Sequence, residues 1–261
     1  MTAIGFIGTG NMGSALARAA AKSGKVETIL LANRSPEKAK RLAEEIGGVV
    51  LDNRTVAARA QVLFLGVKPQ MLEGMLEGIQ DVLTGRTDRL LIVSMVAGKD
   101  LKELKRLLGE HPIIRIMPNI PVGVGGGVTL FTASEDVTED ERLFVKEVLS
   151  CSGAVDELEE DLLDAATGIT GCGPACAAIF AEALADGAVA CGLPRQKAMC
   201  YAAQMMKGTA MLLESGEHPA VLKDRVCSPA GSTIQGVRSL EESAFRAAVM
   251  NAVIASFEKE F

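Results

Sequence analysis

The sequence predicts an α/β domain followed by an all-α domain, and three observations support this fold class. The 261 residues are enough for one large domain or two smaller ones, and a content of 48% hydrophobic and 23% charged residues is typical of a globular protein. The first part of the chain alternates apolar runs with amphipathic stretches. This alternation ends near residues 153–160, and the rest of the sequence has helical character. We therefore expect one domain over residues 1–155 and a second over 156–261.

In the first domain, apolar and β-branched runs predict the strands of a parallel sheet, because strands that alternate with helices of about ten residues form βαβ units. The predicted strands are Ala3–Ile7, Thr28–Ala32, 62–67, 90–96, 113–117 and 128–131. Helices are predicted at Pro36–Ile46, where proline suits the first turn, and at 100–108, where four leucines share one face. The continuous apolar strands suit a sheet that is covered on both faces.

The second domain contains two predicted helices that are apolar on nearly every side. In the stretch 174–191 only Glu182 and Asp186 are charged, and Lys207 is the one charge in the second half of 194–213. Such helices are either buried or cross a membrane, and two acidic residues argue against a membrane span. Packed within one chain, they would leave a large apolar surface exposed. We therefore predict a homodimer that forms through this domain, and no membrane partner.

Charge and cysteine content exclude further classes of protein. The net charge of −6 and the pI of about 5.2 disfavour a general nucleic-acid-binding protein. The six cysteines form no C-x-x-C pair, and there are only two histidines, so we predict buried thiols and no metal site. The N-terminus shows no basic leader before its apolar run. These features predict a protein of the reducing cytoplasm.

The most informative motif follows the first predicted strand and opens a helical stretch at 14–21. It consists of Gly8, Thr9, Gly10, Asn11, Met12 and Gly13. In this strand–turn–helix setting, the first glycine permits the tight turn, the second lets the backbone approach a pyrophosphate, and the third lets the helix pack closely on the strand. The sequence therefore predicts a Rossmann-like dinucleotide-binding domain, with the phosphates at a helix N-terminus.

The end of the second predicted strand indicates which dinucleotide is bound. An NAD site usually carries a carboxylate there, but this chain has Asn33, Arg34 and Ser35. Arg34 can pair with a 2′-phosphate, so we predict NADP(H) as the preferred cofactor, with NAD(H) left open; the alternative is that Arg34 is a solvated surface charge. Ligands of such sheets bind at the carboxyl ends of the strands. Further candidate cofactor contacts at strand ends are Gly66, Val67, Lys68, Pro69, Ala97 and Asn119.

One polar stretch of the helical domain, residues 224–233, looks unlike scaffold. Pro229 and Gly231 interrupt the helical pattern, and Ser232 and Thr233 could cap the next helix. This pattern fits an ordinary helix–helix turn. It equally fits a carboxylate site, because a helix N-terminus with free N–H groups and hydroxyls binds anions.

Taken together, these residues resemble the pyrroline-5-carboxylate reductase family along nearly the whole chain. The resemblance rests on residues 8–13, Asn33-Arg34, 67–70, 115–119 with Pro121, Glu160-Asp161-Leu162, 171–174, 193–195, 222–224, Ser228-Pro229 and 231–233. The motifs of the helical domain are more specific than the glycine motif. Cys172, Cys176, Arg225, Ala230 and Ser232 depart from the commoner family pattern.

The resemblance implies a Rossmann domain followed by a helical dimerisation domain that interlocks two chains, in a homodimer or a higher oligomer. It implies reduction of Δ1-pyrroline-5-carboxylate, a cyclic imine carboxylate, to L-proline with NAD(P)H. The main-chain N–H groups of Gly231, Ser232 and Thr233 would hold the substrate carboxylate, and Thr233 would be the catalytic residue that hydrogen-bonds the ring nitrogen. Ser228 and Glu160 would line the substrate pocket. Asn53 would contact the adenosine side of the cofactor.

The low histidine content agrees with this chemistry, because a basic cyclic imine can arrive protonated and requires no histidine base. Three alternatives stay open. One is a related NADP-dependent dehydrogenase of a hydroxy acid, with Lys207 or Lys223 as its base. Another is a cofactor-binding protein without turnover, and the third is a reductase of a six-membered cyclic imine.

Overall fold

The computed structural model describes residues 3–258, which form two compact units that divide between Gly171 and Cys172. The domain boundary at 155/156 rests on a change of sequence pattern and stays a prediction. The strands of the first unit are β1 (Ala3–Ile7), β2 (Thr28–Ala32), β3 (Val49–Val50), β4 (Val62–Leu65), β5 (Leu91–Ser94), β6 (Ile113–Pro118), β7 (Gly127–Ala133) and β8 (Gly153–Glu157). Its helices are α1 (Asn11–Lys22), α2 (Pro36–Ile46), α3 (Asn53–Arg59), α4 (Leu72–Glu77), α5 (Gln80–Thr84), α6 (Leu101–Leu108), α7 (Glu139–Leu149) and α8 (Glu160–Thr170). Short 3-10 turns occupy Pro69–Met71, Ile120–Val124 and Ser150–Ser152.

The eight strands form one sheet in the order β3-β2-β1-β4-β5-β6-β7-β8. The pairing is parallel throughout except between β6 and β7, which run antiparallel. The prediction of a purely parallel sheet is therefore wrong at this pair. The reason is the length of the connection, because only residues 119–126 link β6 to β7 and a parallel crossover needs about a dozen residues or more.

Both faces of the sheet are buried, as the continuous apolar strands predict. Alternate residues of one strand enter different cores: Phe64 packs on one face, while Leu63 and Leu65 pack on the other. The rings of Phe6 and Phe64 stack with their centroids 4.6 Å apart. The carboxyl ends of β1, β2, β4 and β5 consequently meet at one edge of a rigid sheet.

Local capping explains where several helices begin. Asp100 accepts a hydrogen bond from the Glu103 N–H at 2.6 Å and caps α6, and Thr138 forms a capping box with Glu141 at the start of α7. Pro36 is the first residue of α2, as predicted. These caps satisfy N–H groups that a helix start leaves without an intrahelical partner.

The second unit consists of helices among the described residues. They are α9 (Gly173–Ala190), α10 (Arg195–Glu214), α11 (Pro219–Val226), α12 (Ser232–Glu242) and α13 (Phe245–Phe257). α9 packs against α10, and the rings of Phe180 and Phe245 lie 5.8 Å apart between α9 and α13. The buried apolar side chains of this unit are Ala185, Ala198, Ala202 and Leu222.

The helices of the second unit cover each other on few sides, and Ala185 is the one buried residue of α9. This exposure agrees with the expectation that such helices, packed within one chain, leave apolar surface uncovered. The prediction of buried thiols is wrong for a single chain, because five cysteines are exposed and Cys227 is half-buried. By length and composition the stretch Glu160–Ala190 could cross a membrane, although Gly171 and Cys172 separate it into two helices.

Candidate active site

The glycine turn between β1 and α1 can be built only from small residues. Gly8 has a φ of +100°, and a Cβ there would lie 2.5 Å from the carbonyl oxygen of Gly66. A Cβ on Gly13 would lie 2.1 Å from the Gly8 oxygen, so this glycine permits the close packing of helix and strand. Both contacts are shorter than real side chains tolerate, which confirms the structural roles that the motif predicts for Gly8 and Gly13.

The N-terminus of α1 has features that suit the binding of an anion. Gly10 is the N-cap residue, and a Cβ placed on it would meet no atom within 4 Å, so the backbone is open to a close approach. The first turn of α1, which contains Asn11 and Met12, has no acidic residue. The Thr9 side chain is 2% exposed and its Oγ1 has no hydrogen-bond partner among the described residues. These features fit a dinucleotide pyrophosphate at the free N–H groups.

The residues after β2 divide into a structural and an exposed group. Asn33 Oδ1 accepts a hydrogen bond from the Thr9 N–H at 3.1 Å, and its Nδ2 donates to the Ser35 oxygen at 3.1 Å. Asn33 thus fixes the glycine turn against the loop that precedes α2. Arg34 and Ser35 are exposed, and the Arg34 guanidinium lies 3.7 Å from the Met71 sulfur. Arg34 is therefore free to meet a phosphate at this edge.

Further predicted contacts lie at the same edge. A Cβ on Gly66 would lie 2.7 Å from the Gly8 oxygen, so the ends of β1 and β4 touch through glycines. Lys68 and Pro69 are exposed beyond β4, Val67 is half-buried, and Ala97 is exposed beyond β5. Asn53 is the first residue of α3, one position after the N-cap Asp52.

Asn119 differs from the other predicted contacts because its side chain is 8% exposed and is used within the chain. Its Nδ2 donates to the Thr170 oxygen at 2.8 Å, and its Oδ1 accepts from the Val128 N–H at 2.9 Å. Asn119 therefore links the end of β6 to β7 and to the end of α8. Its predicted cofactor contact stays a prediction.

A cavity of about 510 Å³ adjoins the glycine turn between α1, α2 and the 3-10 turn after β6. Its lining includes Lys38 and Arg41, together with Arg18 and Glu45. The last two form a bidentate ion pair with both distances at 2.7 Å, and this hydrogen bonding lowers the pKa of Glu45. Lys38 and Arg41 consequently give the cavity a positive excess beside the proposed phosphate position.

The sequence reasoning missed one polar cluster, which is centred on Arg115 of β6. Arg115 is 5% exposed, and its guanidinium lies 3.1 Å from Glu160 Oε1 and 3.4 Å from Asp164 Oδ1, both on α8. Glu160 Oε1 also accepts a hydrogen bond from the Leu101 N–H at 2.7 Å. The signal that could have revealed the cluster is the single charge within the apolar strand Ile113–Pro118.

The predicted substrate loop of the helical unit occupies residues 227–231, between α11 and α12. The N-cap of α12 is Gly231, so the expectation that Ser232 and Thr233 cap this helix is wrong: they are its first two residues. A Cβ on Gly231 would lie 2.3 Å from Ser228 Oγ, and the Gly231 N–H donates to the Ser228 oxygen at 3.0 Å. Ala230 has a φ of +57°. The first turn of α12 has no acidic residue, and both hydroxyl residues are exposed there, which suits a carboxylate.

No group of three or more metal-ligating side chains occurs among residues 3–258. The first unit therefore contains a glycine turn that suits a dinucleotide, and the second contains a helix N-terminus that suits an anion.

Comparisons with known proteins agree with this arrangement. A family model described as pyrroline-5-carboxylate reductase dimerisation matches residues 160–260, and one described as NADP oxidoreductase, coenzyme F420-dependent, matches residues 3–98. The pyrroline-5-carboxylate reductase of Escherichia coli (strain K12) is 40% identical over 261 residues, which cover 98% of this chain and 96% of that protein.

Solved structures extend the likeness to three dimensions. A pyrroline-5-carboxylate reductase from Coxiella burnetii has a TM-score of 0.90 at 30% identity, covering 97% of this chain and 95% of that one. The Plasmodium falciparum pyrroline carboxylate reductase with NADP bound has a TM-score of 0.84 at 30% identity, covering 98% and 96%. The chain therefore belongs to the pyrroline-5-carboxylate reductase family and is a nicotinamide-dependent oxidoreductase, as its sequence motifs predict.

Proposed function

We propose that this chain reduces Δ1-pyrroline-5-carboxylate to L-proline, the last step of proline synthesis, and that it prefers NADPH to NADH. The observation that carries the proposal is the glycine turn, which presents open N–H groups in a chain that matches the reductase family over 98% of its length. The matched relative is named for this substrate.

The proposed cofactor site lies along the carboxyl edge of the sheet. It comprises Gly8, Thr9, Gly10, Asn11, Met12, Gly13, Asn33, Arg34, Ser35, Asn53, Gly66, Val67, Lys68, Pro69, Ala97 and Asn119. Support comes from the tight glycine contacts and from the unpartnered Thr9 hydroxyl. Asn33 acts in this site by holding Thr9 and Ser35 in place.

The preference for NADPH rests on charge. No carboxylate follows β2, Arg34 is exposed there, and Lys38 and Arg41 add positive charge in the adjoining cavity. A 2′-phosphate gains from each of these cations, whereas a ribose hydroxyl does not.

The proposed substrate residues are Glu160, Ser228, Gly231, Ser232 and Thr233. The start of α12 offers main-chain N–H groups to the substrate carboxylate, with no competing acid in its first turn. Ser228 lies against Gly231 and shapes this loop. The Thr233 hydroxyl is the proposed catalytic group, which hydrogen-bonds the ring nitrogen.

The reduced nicotinamide, when bound, supplies the hydride for C5 of the imine. The chain has to fix the imine in position and stabilise its charge. The N–H groups at the start of α12 hold the carboxylate, which sets the orientation of the ring. Thr233 holds the ring nitrogen and, through its hydroxyl, can pass a proton to it. No histidine takes part.

We further propose that the chain forms a homodimer through its helical domain, residues 156–261, in the cytoplasm, with no membrane or nucleic-acid partner. Exposed apolar side chains such as Ile179, Met205, Met211 and Met250 support a dimer, because such patches mark partner surfaces. The family model that matches this part is named for dimerisation.

The first experiment measures oxidation of NADPH by Δ1-pyrroline-5-carboxylate, with NADH and the six-membered cyclic imine in parallel. Turnover that is fastest with NADPH and the five-membered imine is expected. Protein that binds NADPH but reduces neither imine would contradict the proposal. Higher kcat/KM with NADH would contradict the cofactor preference alone.

Two pairs of variants test the residues. Arg34→Ala should raise KM for NADPH about tenfold or more and leave KM for NADH nearly unchanged, since it removes an ion pair to phosphate. Arg59→Ala, at an exposed arginine of α3, is the matched control.

Thr233→Ala should keep the fold and lower kcat/KM by about tenfold to a hundredfold, which corresponds to the loss of one oriented hydrogen bond of about 1–3 kcal/mol. Thr233→Ser retains the hydroxyl and should recover most of the activity. Equal activity of the alanine variant and the parent would reject the catalytic role.

A further inference from the structure

We infer that Arg115 and the main-chain N–H of Leu101 are positioning groups that hold Glu160 in one orientation toward the substrate. This inference rests on the proposed function, in which Glu160 lines the substrate pocket. It goes further by assigning the two groups that fix its carboxylate and that act on the substrate only through it.

Both groups bind the same oxygen of Glu160. The Leu101 N–H donates to Oε1 at 2.7 Å, and the Arg115 Nη1 donates to the same atom at 3.1 Å. Within residues 3–258, Oε2 accepts no hydrogen bond. One oxygen is thus anchored by the chain, and the other is left free to face a ligand.

The anchoring groups come from rigid places. Arg115 lies in the middle of β6, between the paired residues Ser94 and Thr132 of the neighbouring strands. Leu101 is the first residue of α6, whose N-terminal N–H groups have no intrahelical acceptor. Glu160 is the first residue of α8, where the helix dipole favours a negative charge. A strand and two helix starts therefore determine the direction of one carboxylate.

The charges of Arg115 and Glu160 indicate which form of the substrate the cluster favours. Arg115 is buried, and its Nε has no hydrogen-bond partner among the described residues. Burying this charge costs free energy, so a purely structural role would be served better by an apolar side chain. A protonated cyclic imine carries a positive charge, and the free Oε2 offers it a counter-charge. The cluster therefore favours the iminium form of the substrate over a neutral ketone of the same size.

The decisive variant removes one hydrogen bond without changing any charge. Leu101→Pro deletes the N–H, and proline is well tolerated at the first residue of a helix. Leu101→Ala is the reference, because it loses the same side-chain packing and retains the N–H. We expect the KM for the imine to be about threefold to tenfold higher in Leu101→Pro than in Leu101→Ala, which is the usual effect of one hydrogen bond to a charged group. The Kd for NADPH should agree within about twofold.

Glu139→Pro, at the first residue of α7, controls for a proline at a helix start elsewhere in the unit. Equal imine KM values in the two Leu101 variants would overturn the inference. A rise in the NADPH Kd equal to that in imine KM would also overturn it, because it would show a general disturbance of the unit.

A second pair addresses the cation. Arg115→Met should raise the imine KM by at least about tenfold, whereas Arg115→Lys, which keeps the charge but not the planar fork, should show a smaller rise. If Arg115→Met fails to fold, the Leu101 pair still decides the question. The proposed function fails separately, since it requires only that the unmodified protein reduce the imine.

Discussion

The Rossmann-like unit and the helical unit bury their apolar side chains in different ways. In the first unit, both faces of an eight-stranded sheet are covered, and residues such as Phe6, Phe64 and Phe131 have no exposed surface. In the second unit the buried apolar residues are three alanines and Leu222. Large side chains of the second unit, such as Ile179 and Met250, are more than half exposed. A single chain thus buries the large apolar side chains of the first unit. In the second unit, a single chain leaves such side chains exposed.

This difference separates two ways in which small residues are used. In the first unit, glycines let backbones touch, as Gly8 and Gly66 do where two strands end. In the second, the buried residues of the packed helices α9 and α10 are the alanines Ala185, Ala198 and Ala202, while large side chains of the same helices are exposed. The same composition therefore builds a cofactor edge in one unit and a proposed partner surface in the other.

The largest expected effect is in the core of the first unit. Phe64→Ala should lower the free energy of unfolding by about 3–5 kcal/mol, because it leaves a cavity beside Phe6 in a close-packed interior. Phe257→Ala, at a ring that is 54% exposed in α13, is the comparison. Denaturant unfolding at several protein concentrations measures both.

The loss in Phe64→Ala should not depend on protein concentration, whereas that in Phe257→Ala should, if its ring is covered only in a dimer. A concentration-independent and large loss in Phe257→Ala would remove the distinction between the two units.

The next effect concerns the exposed face of the helical unit. Ile179→Glu should weaken self-association about tenfold to a hundredfold, because burying an unpaired charge in the proposed interface costs about 1–3 kcal/mol of association free energy. Leu143→Glu, on α7 of the first unit, starts from an exposed leucine and should leave association unchanged. Sedimentation over a dilution series distinguishes them. Similar dissociation of both variants, or of neither, would argue against an interface on α9.

A smaller effect tests the internal electrostatics of the first unit. Burial acts to raise the pKa of Glu141, but hydrogen bonds from Arg89, with its Nε at 2.6 Å, and from Thr138 outweigh it and bring the pKa below its ordinary value of 4.5. A lowered pKa in the folded state adds stability above the unfolded pKa, and this stability is lost as the pH falls through the folded value. Glu141→Gln should cost about 1–2 kcal/mol at neutral pH.

The gap between the parent and Glu141→Gln should close in acid, below about pH 4. Glu241→Gln, which removes an exposed pair with Arg246 in the helical unit, should cost less than about 1 kcal/mol. A gap at Glu141 that stays constant with pH would show that only the capping geometry matters.

Sequence patterns predicted the parts of the fold that depend on neighbours along the chain. The limits of β1, β2 and α2 agree with prediction because an apolar run or an N-terminal proline marks them. β3 was missed because a strand of two residues is too short to show the alternation of apolar and polar residues that marks a strand. The strand β7 was predicted but its antiparallel direction was not, because direction depends on the length of a connection rather than on apolar pattern.

The candidate site divides in the same way. The glycine turn could be found because its spacing is local. The contacts of Glu160 with Leu101 and Arg115 could not, since 59 and 45 residues separate the partners. The exposed thiols of the helical unit were mispredicted because the burial of each residue there depends on what covers the helices, and the spacing of the cysteines does not show this.

The smallest expected effect concerns backbone strain. Both non-glycine residues of positive φ within residues 3–258, Ala230 and Ala244, lie in the helical unit. The left-handed conformation costs alanine about 1–2 kcal/mol, and glycine in the same place loses about 0.5–1 kcal/mol in extra chain entropy. Ala230→Gly should therefore raise the free energy of unfolding by up to about 1 kcal/mol.

Ala203→Gly, at an exposed position inside α10, carries the same change at an ordinary helical position and should lower stability by about 1 kcal/mol. Because the two stability changes are expected to have opposite signs, the pair separates the effect of the backbone conformation from that of losing a methyl group. If both variants lost stability equally, Ala230 would not be strained, and the helical unit would then differ from the first unit in its uncovered surface alone.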